Sequence, residues 1–213
     1  MLLSTAYFPP VSWFALAARD MTLSPERIVP SRVGLEACEN YQKQSYRNRC
    51  YILAGDGPQM LQVPIVHGGP MGIRDVRVDY STPWIVRTQR ALEAAYEHSA
   101  WFDYYRDELF ALMDRRPETL WDWNLALIQW AMDRTGVACT LEPTQSFAAT
   151  GQEDDFRYRI HPKHPDPVLQ DLGLDQPYYQ VFRDRMGGFT PGLSILDLLF
   201  NEGPDAILHL KRI

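Results

Sequence analysis

The sequence predicts an α+β protein in which a small mixed β-sheet packs against a central group of α-helices, all within one compact domain spanning residues 1–213. Two observations predict this class. Before Tyr80, apolar residues alternate with the period of two that is typical of strands; after Pro83, they recur at helical spacing. The length of 213 residues suits one domain with a sizeable core.

The predicted strands lie mainly in the N-terminal half. They cover residues 2–3, 47–53, 60–66, 74–80 and 137–141, and the second and third are joined by the turn signal Gly55-Asp56-Gly57-Pro58. The stretch around Pro30 and Gly34 is expected to be irregular, with at most a short strand at residues 27–29.

Three helices are predicted in the centre of the chain, after a first short one that carries Trp13 and Phe14. They cover residues 83–96, 102–113 and 117–135, and Gly136 ends the last. Asn124 falls on the apolar stripe of that last helix. A buried amide must find partners, so Asn124 either pins a neighbouring backbone, which we favour, or faces a ligand pocket.

Ser194 and Asp197 mark the start of a further helix through the spacing S-x-x-D. The serine is expected to cap the first turn, and the aspartate to complement the helix dipole. We therefore interpret this pair as structural, although it resembles a catalytic pair.

Composition excludes several classes of function. Acidic residues outnumber basic residues 27 to 21, which argues against a general nucleic-acid binder. The three cysteines show no CxxC spacing and are typical of reduced thiols in a cytosolic protein. No apolar run approaches the length of a membrane span. We expect a cytoplasmic protein without membrane insertion.

The segment from Tyr41 to Tyr51 concentrates cations and aromatic residues. Its candidate substrate-binding residues are Lys43, Tyr46, Arg47, Asn48 and Arg49. Guanidinium groups bind phosphate or carboxylate in a planar fork, so the segment favours an anionic small molecule. The alternative is a solvated strand edge whose cations pair with nearby carboxylates. On a regular strand Arg47 and Arg49 share one face and Asn48 takes the other, unless a bulge intervenes.

Common catalytic signatures are absent from the sequence: it has no GxxxxGK[ST], GxGxxG or GxSxG motif. His161 and His164 have metal-like spacing, but the intervening prolines oppose a helical metal site, so neither a metal nor a cofactor is expected. His161 is the candidate catalytic residue, as a general base. Tyr179 and Gln180 are candidates for binding a sugar or nucleotide, or alternatively close the core.

Several strings taken together resemble the WbqC-like family of bacterial proteins. They are YFPP, YQKQSYRNRC, LQVPI, IRDVRVDYSTPW, AYEHSAWFDYY, LWDWN, IHPK, PYYQVF and LSILDLLFNEG, and they extend from end to end of the chain. Relatives often have a Gln where this chain has Thr5-Ala6, and a His where it has Thr88. If those residues are catalytic in relatives, the chemistry of this chain is in question.

The resemblance implies a role in bacterial surface polysaccharide (O-antigen) biosynthesis. It implies a transferase, with aminoacyl or glycine transfer to a sugar as one form of the reaction, acting on an anionic or nucleotide-linked sugar. Arginines in the 41–51 segment suit such a substrate. Amide formation needs an activated acyl donor, and the absence of a phosphate loop gives no support for making that donor from ATP in this chain. The donor then arrives preactivated, or a partner enzyme makes it.

The competing hypothesis is a non-catalytic protein that binds a sugar intermediate or a partner enzyme. The two hypotheses differ in what they expect of the structure. A substrate site requires Lys43, Arg47, Arg49, His161 and Tyr179 to converge on one concave pocket. A flat, exposed aromatic patch would instead favour a partner surface.

Overall fold

The protein has an α+β fold, as the sequence predicts. The computed structural model describes residues 1–24, 26–68 and 71–211. The helices are α1 (Val11–Arg19), α2 (Trp84–Tyr96), α3 (Phe102–Met113), α4 (Leu120–Thr135), α5 (Pro167–Asp171), α6 (Ile195–Glu202) and α7 (Ala206–Lys211), with 3-10 turns at Ile73–Asp75 and Gly203–Asp205. The strands are β1 (Leu2–Ser4), β2 (Thr22–Leu23), β3 (Ile28–Val29), β4 (Ser31–Glu36), β5 (Arg49–Ala54), β6 (Gly57–Gln62) and β7 (Cys139–Pro143).

Within the described residues, the strands form three small sheets. The largest is parallel, in the order β1-β4-β7, and α1 makes the crossover from β1 to β4. The other two are the antiparallel pairs β2-β3 and β5-β6. The mixed character that the sequence predicts therefore arises from separate parallel and antiparallel sheets. The parallel sheet brings the carboxyl ends of β1 and β4 together, at Ser4 and Glu36.

The sequence reading missed β4. Its residues alternate between buried Ser31, Val33 and Leu35 and more exposed neighbours, as a strand requires. Gly34 suggested a break, but a Cβ there would lie 3.1 Å from the Leu2 side chain, so the glycine permits close approach of β1.

The prediction of a strand at residues 74–80 is wrong. This segment contains a 3-10 turn at Ile73–Asp75, followed by isolated bridges from Arg77 to Thr119 and from Val78 to Ile65. Buried and exposed side chains do alternate here, since Val76 and Val78 are buried. The backbone of the segment, however, forms hydrogen bonds with two different segments, so no β-ladder forms with either.

Helix α6 occupies the centre of the core. It contacts α1, α3, α4, α7 and β5, and five of its residues are fully buried: Ile195, Leu196, Leu198, Leu199 and Phe200. In its first turn the Ser194 hydroxyl accepts a hydrogen bond from the Leu196 amide at 3.2 Å, as the capping pattern predicts.

No helix in the described part of the chain is long and apolar enough to cross a membrane.

Asp197, in the same turn, links distant parts of the chain. Its carboxylate accepts hydrogen bonds from the hydroxyls of Tyr96 and Tyr178, at 2.9 and 2.7 Å, and from the Gln180 amide at 2.7 Å. Burial raises the pKa of this carboxyl group, although the three donors act in the opposite direction. Asp197 therefore fastens α2 and the 178–180 segment to the central helix.

We predict that Ser194→Ala lowers the free energy of unfolding by about 1 kcal/mol, because the first-turn amide loses its cap. Chemical denaturation of both proteins measures the difference. The control is Ser146→Ala at an exposed loop position, where a change within about 0.5 kcal/mol is expected. A Ser194→Ala variant with full stability but no ligand binding would contradict the structural role.

Candidate functional site

The segment from Tyr41 to Arg49 is a turn that leads into a strand. Residues 43–47 form turns and bends, Gln44 has a positive φ of 59°, and β5 begins only at Arg49. The Ser45 hydroxyl donates to the Gln42 carbonyl at 2.6 Å and holds the turn. Because Arg47 and Asn48 precede the strand, the alternation expected of a strand does not fix their directions.

Arg47 is closed in a buried ion pair. Its Nε and Nη2 donate to the two oxygens of Glu39 at 3.1 and 2.6 Å, and Nη2 also donates to the Ser4 hydroxyl at 2.6 Å. Both charged side chains are 2% exposed. This forked pairing occupies the guanidinium group with the protein's own carboxylate. Arg47 therefore has a structural role in the protein interior.

A second buried ion pair lies nearby, at the end of β4, and sequence analysis did not predict it. Arg157 donates to Glu36 at 2.7 Å and to Asp155 at 2.8 and 2.9 Å. The hydrogen bond from Arg157 lowers the pKa of Asp155. Burial raises the pKa of Glu36, but its hydrogen bonds and the charge of Arg157 outweigh burial, so this pKa is also lowered.

These pairs fill the place where a parallel sheet often binds ligands, the crevice beyond the carboxyl ends of its strands. Ser4, Thr5, Arg47 and Arg157 leave a cavity of only about 10 Å³ between them. That volume suits about one water molecule. The carboxyl edge of the parallel sheet is thus a packed structural centre.

Arg49 lies on a different surface. It lines an open hollow of about 310 Å³, which we name the Arg49 hollow. The polar residues around it are Tyr41, Lys43, Gln44, Asn48, Arg49, Gln62, His67 and Asp79. The cations Lys43 and Arg49 outnumber the single carboxylate of Asp79, so the charge of the lining favours an anion.

Two buried polar atoms among the lining residues lack a partner in the described part of the chain. Asn48 is 1% exposed; its Nδ2 donates to the Val63 carbonyl at 2.9 Å, but its Oδ1 accepts nothing. The Nε of Arg49 is also buried and donates to nothing. An unsatisfied buried group costs about 1–3 kcal/mol. One free acceptor and one free charged donor therefore lie on neighbouring residues of the hollow.

His161 does not line the Arg49 hollow. Its Nδ1 accepts a hydrogen bond from the Lys163 amide at 3.2 Å, so in the neutral ring the proton is on Nε2. Burial lowers its pKa, and the charges of His164, Arg47 and Lys163 lower it further. His161 thus lies close to the buried Arg47, and its role as a general base stays a prediction.

The remaining candidates also lie apart from the hollow. Asn124 donates to the Arg47 carbonyl at 2.8 Å, which is the backbone pinning that we favour. Tyr46 lines the small cavity, and burial raises its pKa. Gln180 is buried in the Asp197 network, whereas Tyr179 is 57% exposed on the surface. The structure brings Lys43, Asn48 and Arg49 together and distributes the other five substrate-binding candidates elsewhere. The expected convergence of Arg47, His161 and Tyr179 on the same pocket as Lys43 and Arg49 is therefore wrong.

Comparison with known proteins agrees with the sequence motifs. The model of the WbqC-like protein family matches residues 31–164, more than half of the chain. The chain belongs to the WbqC-like protein family. The uncharacterized protein Rv1507c of Mycobacterium tuberculosis (strain ATCC 25618 / H37Rv) is 29% identical over 203 residues, and the match covers 80% of this chain and 84% of that protein. No solved structure matches.

Thr5 and Thr88, at which the resemblance implies a departure from relatives, are both buried in the core. Thr5 lines the small cavity at the end of β1, and its buried hydroxyl has no partner among the described residues. Thr88 lies on α2 next to the hydroxyl of Tyr7. Neither residue lines the Arg49 hollow.

We predict that Arg47→Met lowers the free energy of unfolding by about 3–5 kcal/mol, because the Glu39 carboxylate is left buried without its charged partner. Urea denaturation measures the loss. The double variant Arg47→Met/Glu39→Met removes both charges and is expected to recover most of the stability. If Arg47→Met unfolds like the wild type, the ion pair is not the structural element described here.

Proposed function

We propose that this WbqC-like protein acts in bacterial surface polysaccharide (O-antigen) biosynthesis by binding an anionic sugar intermediate in the Arg49 hollow. The motifs shared with the family support the pathway. The observations that carry the site are the two cations Lys43 and Arg49 in its lining, and the buried polar atoms without a partner on the lining residues Arg49 (Nε) and Asn48 (Oδ1). Each of these atoms gains a hydrogen bond if its side chain turns toward a ligand in the hollow.

The two unpaired atoms favour a specific kind of ligand. The charged Nε of Arg49 requires an acceptor, and a carboxylate or phosphate oxygen is the strongest available. The Oδ1 of Asn48 requires a donor, such as a sugar hydroxyl. Uronic acids and sugar phosphates carry an acidic group and hydroxyls on one small ring. A neutral sugar satisfies only the second atom.

The reaction we propose is transfer of an acyl or aminoacyl group from a preactivated donor to the bound sugar. A sugar hydroxyl or amine attacks the donor carbonyl and loses a proton as the donor's leaving group departs, which requires a proton acceptor. His67 and Asp79 both line the hollow, and the neutral imidazole of a histidine can accept a proton. In this scheme His67 takes the proton, while Arg49 and Asn48 position the sugar.

A second candidate function is binding of the same sugar without catalysis. It is favoured by the position of His161, the histidine in the family-like string IHPK, which does not line the hollow. The two candidates are separated by incubation with glucuronate and an acyl thioester, followed by mass spectrometry. If the wild type forms acylated sugar and His67→Gln does not, the transferase is supported. If the wild type binds the sugar but forms no acylated product, the non-catalytic function is supported.

We predict that Arg49→Lys weakens glucuronate binding by about tenfold, because lysine keeps the charge but removes the planar fork. Calorimetric titration of glucuronate measures the dissociation constant, with glucose as the uncharged ligand. The matched control is Arg32→Lys, a change at an arginine that is 80% exposed and paired with Glu142. Equal affinities for glucuronate and glucose, or no effect of Arg49→Lys, would contradict the proposed site.

A further inference from the structure

The Arg49 hollow continues into a second, larger hollow with a different chemical character. The second hollow has a volume of about 570 Å³ and is lined by Ile65, Val66, Met71 and Val76, so we name it the Met71 hollow. Tyr41, Lys43, Ile65 and His67 line both. A ligand of the first hollow can therefore extend into the second past Tyr41. Both volumes lie within the usual range of small-molecule sites.

The Met71 hollow presents apolar surface to solvent. Val66 is 47% exposed, and Ile65 and Met71 are partly buried against the core, while Val76 is only 1% exposed. Methionine adapts its shape to irregular apolar ligands. The apolar lining is thus accessible, and a ligand that covers it gains from the hydrophobic effect.

Backbone hydrogen bonds hold the walls of both hollows in place. The Tyr41 amide donates to the Met71 carbonyl at 2.8 Å, and the Val66 amide donates to the Arg77 carbonyl at 2.9 Å. On the other side, the Asp79 amide donates to the Pro64 carbonyl at 2.9 Å. These bonds join three separate segments. The shape is therefore formed before a ligand arrives, which reduces the ordering that binding requires.

We propose that the ligand of this continuous site is an amphipathic anion, namely a sugar or phosphate attached to an isoprenyl chain. This inference rests on the proposed function, since the acidic group occupies the Arg49 hollow. The phosphate or carboxylate contacts Arg49 and Asn48, and the chain lies along Ile65, Val66 and Met71. The aliphatic and thioether side chains of the Met71 hollow suit a hydrocarbon chain, and the polar residues Lys43 and His67 are shared with the Arg49 hollow, where the acidic group lies.

The test compares three ligands by calorimetric titration of the full chain. Geranyl phosphate has both parts, inorganic phosphate has only the anion, and geraniol has only the chain. Geranyl phosphate is expected to bind at least tenfold more tightly than phosphate, because burying even two methylene groups gives about that factor. Geraniol is expected to bind at least tenfold more weakly than geranyl phosphate, because it cannot pair with Arg49.

Two matched variants test where the hydrocarbon chain of the ligand binds. Val66→Asn removes apolar surface from the Met71 hollow without adding charge, and it is expected to reduce the affinity ratio of geranyl phosphate to phosphate at least threefold. Val86→Asn makes the same change on α2, at a valine that is 41% exposed, and is expected to leave the ratio unchanged. Equal effects of the two variants would overturn the assignment of the chain to the Met71 hollow.

The other outcomes separate this inference from the proposed function. If phosphate and geranyl phosphate bind with equal affinity and Arg49→Lys weakens both, the proposal of an amphipathic ligand is wrong, whereas the anion site is supported. If neither binds and glucuronate does not bind, the proposed function fails as well. Uridine monophosphate that binds as tightly as geranyl phosphate would assign the site to a nucleotide-linked ligand. Geraniol that binds as tightly as geranyl phosphate would assign the hollow to an apolar partner; either result overturns the inference.

Discussion

The buried pairing of Arg47 with Glu39 is the interaction on which the proposed site depends. It draws Arg47 inward toward Ser4 at the end of β1, and Asn124 of α4 fixes the Arg47 carbonyl from the other side. Because both the side chain and the backbone carbonyl of Arg47 are hydrogen-bonded, the polypeptide enters β5 in a defined direction. Asn48 and Arg49 then line the neighbouring hollow. A structural arginine thus positions a binding arginine two residues later.

Similar charged groups have different roles in this fold because burial and pairing differ. Arg47 and Arg157 lie in the interior with their carboxylates, and the small cavity between them has no room for a substrate. Asp197 likewise has three donors and fastens the central helix. By contrast, Asn48 and Arg49 line an open hollow, and each has one buried polar atom without a partner in the described part of the chain. Unpaired polar atoms at a hollow therefore mark the candidate site better than charge alone.

Sequence reasoning predicted the elements whose signals are local and missed those that depend on distant partners. Ser194 caps α6 and Gly136 ends α4 because both act within one turn. The 74–80 segment alternates as a strand should, but its backbone partners belong to two different segments. In the site, composition indicated an anion and spacing indicated Arg47, Asn48 and Arg49. Which arginine is free depended on Glu39 and Ser4, whose approach only the fold determines.

Side-chain NMR of the arginine Nε–Hε groups tests the central claim most directly, namely that Arg49 is free for an anion and Arg47 is not. The signals are assigned by their loss in Arg49→Lys and Arg47→Lys. On titration with glucuronate, the Arg49 signal is expected to shift, because its Nε gains an acceptor. The Arg47 signal is expected to stay in place, because its Nε already donates to Glu39. A shift of Arg47 with Arg49 unchanged, or no shift of either signal at saturating ligand, would contradict the account.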